Sequence, residues 1–91
     1  MEQKRIEQLQ VIEDEILLNN DISATAVINA RKLAEEDDYL YNLMVDFMKE
    51  SVREFKSGYL TDIMNYTEEK LRTANLKWTF LNLGKEKLPC H

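Results

Sequence analysis

Proline occurs once in these 91 residues, at position 89, and glycine twice, at 58 and 84. Residues that bend or stop a helix are therefore almost absent. No alternating apolar pattern suggests strands, and charged residues make up 32% of the chain. The fold class that follows is all-α. A chain of this length supports one domain, and it buries only about 60–65% of its unfolded surface. Its stability therefore depends on a well-formed core or on a partner.

Four helical segments can be read from the apolar spacing. In residues 2–18, Ile6, Leu9, Ile12, Ile16 and Leu17 share one face, while Val11 and Leu18 fall on the opposite one. The stretch 18–21 supplies turn and cap chemistry through Asn19, Asn20 and Asp21. Asp21 or Ser23 can cap a second helix over 22–36, with Ala26, Ala30, Leu33 and Ala34 on its apolar side. A third helix over 38–57 carries Leu40, Tyr41, Met44, Phe47, Met48, Val52 and Phe55 on a broad arc. Gly58 is expected to end it in the left-handed conformation. The fourth helix covers 59–83 and is closed by Gly84.

The acidic run Glu35 to Asp38 is the ambiguous joint. The apolar phase of Ala26, Ala30 and Leu33 continues into Met44 and Met48, which allows 22–57 to be one long kinked helix. An unbroken helix, however, aims Asp37 into the apolar face, where an unpaired carboxylate is costly. Acids also suit a helix N-terminus and oppose a C-terminus. The sequence thus favours a break near 36–38, with Asp37 or Asp38 as the next cap. The expected architecture is a small antiparallel helical bundle of three to four helices. Residues 1–84 form its single domain and 85–91 a mobile C-terminal tail.

The most regular pattern lies in the fourth helix. Leu60, Met64, Thr67, Leu71, Ala74, Trp78 and Leu81 are spaced alternately by four and three. This stripe is expected to pack on the third helix as an antiparallel hairpin across Gly58. Leu76, Phe80 and Leu83 point away from the stripe, so with Trp78 and Leu81 the last third of the helix is apolar nearly all round. A segment apolar on two sides must be covered on both. Val11 and Leu18 make the same demand of the first helix, and together these residues point to a homodimer. Along one flank of the fourth helix, Tyr59, Tyr66, Lys70 and Lys77 form a second stripe. Such a stripe suits an acidic partner or single-stranded nucleic acid, or a flank whose lysines meet carboxylates of another helix.

The net charge of −5 argues against general binding to phosphate backbones, which needs clustered Lys and Arg. The charge is uneven, with an acidic front over residues 1–21 and a mildly basic back over 59–91. A helix-turn-helix across 19–22 is the alternative from another function class. Its second helix, however, has only Arg31 and Lys32 as bases and ends in acids. Cys90 is the only cysteine, so no internal disulfide forms and a reducing cytoplasm is the expected home. No apolar h-region follows Lys4 and Arg5, and no apolar run approaches a membrane span.

Catalytic chemistry is not expected. His91 is the only histidine, which removes nearly all acid–base, triad and metal arrangements built on imidazole. Cys90 and His91 are two adjacent ligands and make an incomplete metal site. No Gly-rich phosphate loop occurs, and no cofactor is expected. The acidic pairs Asp37-Asp38 and Glu68-Glu69 point apart on a helix. The expectation is a non-enzymatic protein–protein interaction module: a regulator, adaptor or inhibitor with acidic and apolar helix surfaces. An acidic helical surface that mimics nucleic-acid phosphate is one form of it.

Overall fold

A computed structural model of the chain describes residues 2–85, with side chains at 3–52 and 54–75. The described residues form four helices: α1 over Glu2–Asn19, α2 over Ala24–Ala34, α3 over Asp38–Lys49 and α4 over Arg53–Lys85. The fold is an all-α bundle, as the sequence implies. The tail residues Cys90 and His91 lie outside the described residues.

Each boundary has a local cause. Asn19 and Asn20 end α1 by donating their side-chain amides to the Glu15 and Ile16 carbonyls, at 3.1 and 3.3 Å. Ser23 begins α2, its hydroxyl accepting from the Ala26 amide. Asp37 begins α3 from an extended conformation, its Oδ1 accepting from the Leu40 amide at 3.0 Å. The chain therefore breaks at 35–37, near the place where the sequence favours a break.

The next boundary differs from the expected one. The third helix ends at Lys49, and α4 begins at Arg53, so Gly58 lies inside a helix rather than at its end. The reason is visible in α3's buried face. Leu40, Met44 and Phe47 are fully buried. A continued helix would next bring Ser51, then Glu54 and Phe55, then Gly58 round to that side, so its buried face would turn mostly polar. The chain turns instead at 50–52, where the Glu50 carboxylate accepts from the Val52 amide at 3.2 Å. Met48, Val52 and Phe55, expected on the core arc, are 37%, 48% and 59% exposed.

The core is a single cluster: Leu9, Ile12 and Ile16 from α1; Val27, Ala30 and Ala34 from α2; Leu40, Met44 and Phe47 from α3; and Ile63 from α4. Ala30 and Ala34 let α2 approach its neighbours closely. Thr67 is the one buried polar side chain among the described residues, and its hydroxyl is satisfied by donating to the Ile63 carbonyl at 2.7 Å. Val27 and Ile63 are core residues that the expected apolar faces leave out. α3 and α4 pack most extensively and run antiparallel, since Asp37 before α3 meets Tyr66 and Lys70 of α4.

The molecule is elongated, 54 × 29 × 20 Å with a radius of gyration of 16.0 Å. A compact globule of this length has a radius near 12 Å. α4 is the cause. At 33 residues it is about 50 Å long, whereas the 11 and 12 residues of α2 and α3 reach about 17 and 18 Å.

Candidate protein-interaction surface

The first half of α4 belongs to the core, and the second half outruns it. Ile63 and Thr67 are buried, and Tyr59, Leu60, Met64 and Tyr66 pack partly buried against the cluster. Past Thr67 the burial stops. Leu71 is 41% exposed, and all the side chains described from 68 to 75 are exposed. The four-three stripe thus covers the core from Leu60 to Thr67 and continues along the same helix beyond it. Leu76, Trp78, Phe80, Leu83 and Lys77 lie on this projecting half, and their side chains are outside the described residues.

The charge changes at the same point. Residues 1–69 hold sixteen carboxylates against seven Lys and Arg, a balance of −9. Residues 70–91 hold five Lys and Arg against one carboxylate, a balance of +4, and 70–85 contain no carboxylate at all. An acidic bundle therefore carries a cationic, apolar helical arm.

Tyr66 and Lys70 are engaged within the chain. The Tyr66 hydroxyl donates to Oδ2 of Asp37 at 2.7 Å, and the Lys70 ammonium lies 3.7 Å from the same oxygen. Burial of Asp37 disfavours its charged form. The Tyr66 hydroxyl, the Leu40 amide, the Lys70 charge and the Tyr39 amide together outweigh that cost and hold its pKa below the usual aspartate value. The bond to Asp37 is the main reason that the Tyr66 phenol titrates above its ordinary value. Lys70 is likewise held above the ordinary lysine value, first by Tyr66 and also by the charge of Asp37. Arg5 of α1 ties the same corner from outside. Its guanidinium donates to the Ala34 carbonyl at 2.9 Å, pairs with Asp38 at 2.9 Å and lies over the Tyr41 ring at 4.2 Å. The carboxylates at 37 and 38 are thus engaged as caps and ion pairs.

On α1 the outer face is apolar in two places. Val11 is 57% exposed and Leu18 is 82% exposed, and Glu7 and Asp14 are exposed on the same face. Glu7, Val11, Asp14 and Leu18 are spaced by four, three and four, the same alternation as the stripe on α4. Between α2 and α4 lies a groove of about 260 Å³ whose lining includes Ala26, Asn29, Met64, Thr67, Glu68 and Leu71. At the turn between α3 and α4 a polar cleft of about 350 Å³ is bordered by Ser51, Asn20 and the Glu15–Lys56 ion pair.

Other chemistry finds little support in these positions. Among the described residues, no group of three or more His, Cys, Asp or Glu side chains is placed to hold a metal ion. No helix among them is long and apolar enough to cross a membrane. α2, the connection at 35–37 and α3 have the lengths of a helix-turn-helix, a feature the sequence reading placed instead at 19–22. The exposed side of α3 nevertheless carries Asp38 and Asp46 with only Lys49 as a base, a poor match to phosphates.

The spacing predicts that the stripe packs on the third helix as far as Leu81, but α3 ends at Lys49 and burial on α4 stops after Thr67, with Leu71 41% exposed. The exposed corner at Met48, Val52 and Phe55 was not signalled in the sequence, because apolar spacing alone does not reveal where a helix stops. No family of known proteins, no curated protein sequence and no solved structure matches the chain.

Proposed function

We propose that this chain is a non-enzymatic protein–protein interaction module, a regulator, adaptor or inhibitor that works as a homodimer in a reducing cytoplasm. The observation that carries the reading is α4, whose second half leaves the bundle and changes charge sign as it does so. A helix that is apolar, cationic and longer than its own bundle gains most by burying that length against another surface. Complementary charge then selects an acidic surface and speeds encounter with it.

Affinity capture with mass spectrometry tests this. The tagged full chain is compared with a variant carrying Arg72→Glu and Lys77→Glu. Capture of a defined protein set, or of the chain itself, by the wild type and its loss in the variant supports the reading. Identical capture by both overturns the role of the arm.

The helix lengths from α2 to α3 favour DNA binding as the second reading. The test is a gel shift with labelled duplex at low salt, repeated at rising salt. The acidic face of α3 leads to an expectation of no shift, and a salt-sensitive shift would replace the first reading with the second.

A further inference from the structure

We propose that the arm of α4 docks on the outer face of α1 in a second copy of this chain, each copy giving its arm to the other. This rests on the interaction-module reading and names the partner and the two faces. The first argument is reach. Lys56 near the start of α4 pairs with Glu15 near the end of α1. Arg5 near the start of α1 bonds to the α2–α3 corner, which meets Tyr66 and Lys70. α1 and α4 therefore run in opposite directions, and the arm passes beyond the beginning of its own α1. A straight helix cannot turn back onto that face, so the α1 it reaches belongs to another molecule.

Charge supplies the second argument. Residues 70–85 contain four Lys and Arg and no carboxylate, while the outer face of α1 exposes Glu7 and Asp14. The groove between α2 and α4 is the competing seat. Glu68 is the one charged side chain in its lining, whereas two carboxylates stand on the outer face of α1. That outer face also carries Leu18, the most exposed large apolar side chain described.

Pattern and length supply the third. Glu7, Val11, Asp14 and Leu18 alternate by four and three, as do Leu71, Ala74, Trp78 and Leu81. At this spacing Val11 and Leu18 can meet apolar side chains of the arm, while Glu7 and Asp14, costly if buried unpaired, must meet its cations. The α1 seam rises about 16 Å and that of the arm about 15 Å, so the two match in length. Reciprocal use makes the contact twofold, which closes the assembly as a dimer rather than a fibre.

Sedimentation velocity with circular dichroism on the full chain tests this at low and moderate salt. The wild type is expected at twice the monomer mass of 10.8 kDa, with a dimer that weakens as salt rises. Leu18→Glu and Asp14→Lys alter exposed positions, so each is expected to keep its helical signal and weaken the dimer at least tenfold. Lys77→Glu is expected to do the same from the other side, and Asp14→Lys combined with Lys77→Glu to recover part of the dimer. A wild type that stays monomeric at high concentration overturns the exchange, as does a dimer indifferent to Leu18→Glu and Asp14→Lys. Single variants that dissociate without recovery in the combination overturn the pairing of these two faces. A monomeric wild type whose arm variant still loses captured proteins leaves the interaction reading standing and removes only the second copy. A duplex shift abolished by Lys77→Glu overturns the proposal in favour of nucleic acid.

Discussion

The chain turns twice around α3, and the two corners are built by opposite means. At the α2–α3 corner, polar groups from three helices converge. Arg5 of α1 holds the last carbonyl of α2, Asp37 caps α3, and Tyr66 and Lys70 of α4 hold Asp37. At the α3–α4 corner, the connection is Glu50, Ser51 and Val52, with a single side-chain bond inside the turn among the described residues and an open polar cleft beside it. Met48, Val52 and Phe55 stand largely exposed around it. The first corner is fixed by partners that favour the break. The second falls where the fully buried face of α3 gives way to Ser51 and Glu54, with Phe55 left as an apolar residue near that face. A corner of the first kind should be sensitive to one side chain, and a corner of the second kind tolerant of most.

Asp37→Ala is the largest test of that difference. It removes an N-cap, which typically costs about 1 kcal/mol, and it takes the partner from a half-buried Tyr66 hydroxyl. The expected total is about 1–2 kcal/mol, read from urea denaturation midpoints. Glu50→Ala at the other corner should cost under about 0.5 kcal/mol, since it loses one exposed bond. Equal losses at the two positions would erase the distinction.

Asp37→Asn sharpens the same corner by keeping the cap and removing the charge. Asparagine caps about as well as aspartate. The folded pKa of Asp37 lies below its unfolded value, so its charge contributes stability that is full above the unfolded pKa, near 3.9. That contribution is lost as pH falls through the lower folded value. The variant should therefore be less stable than wild type at pH 7, by less than Asp37→Ala, and the gap should close as pH falls below about 4. Thermal melts at pH 7, 5, 4 and 3 check it. A gap that is constant with pH would mean that the carboxylate acts through hydrogen bonding alone.

The corners also differ in how far the sequence announced them. Asp37 was legible because two signals agreed: an acid that could not face a core, and an acid run suited to a helix start. Ser23 and the Asn19-Asn20 pair were legible for the same reason, since their side chains act on backbone groups a few residues away. The turn at 50–52 was hidden because no residue there forces it. It depends on which neighbours α3 meets, and that is a property of the whole bundle. Ile63 was overlooked through the same limit. The four-three stripe placed the face of α4 correctly at Leu60 and Thr67, but the helix docks on a broader face that includes its neighbour Ile63. In the candidate surface, the exposed apolar places on α1 followed from periodicity. The engagement of Tyr66 and Lys70 with Asp37 lies between helices far apart in sequence, and spacing within one helix could only leave it as one of several readings.

Gly58 gives the smallest effect and the sharpest sign. As the cap of a helix ending at 57, it would take the left-handed conformation, and Gly58→Ala would then destabilise the fold. Within α4 its backbone is right-handed, and a Cβ added there meets nothing within 4 Å. Glycine in a helix interior costs roughly 0.5–1 kcal/mol relative to alanine, because the unfolded chain loses more freedom on folding. With no clash to oppose it, that difference is recovered in full. Gly58→Ala should therefore stabilise the protein by about 0.5–1 kcal/mol. In a chain of this size each kcal/mol raises the melting temperature by about 4–8 °C. A rise confirms a turn at 50–52 that owes nothing to the glycine. A fall would mean that the chain in solution turns at Gly58, extending α3 to residue 57, and the contrast between the two corners would have to be rebuilt around a glycine cap.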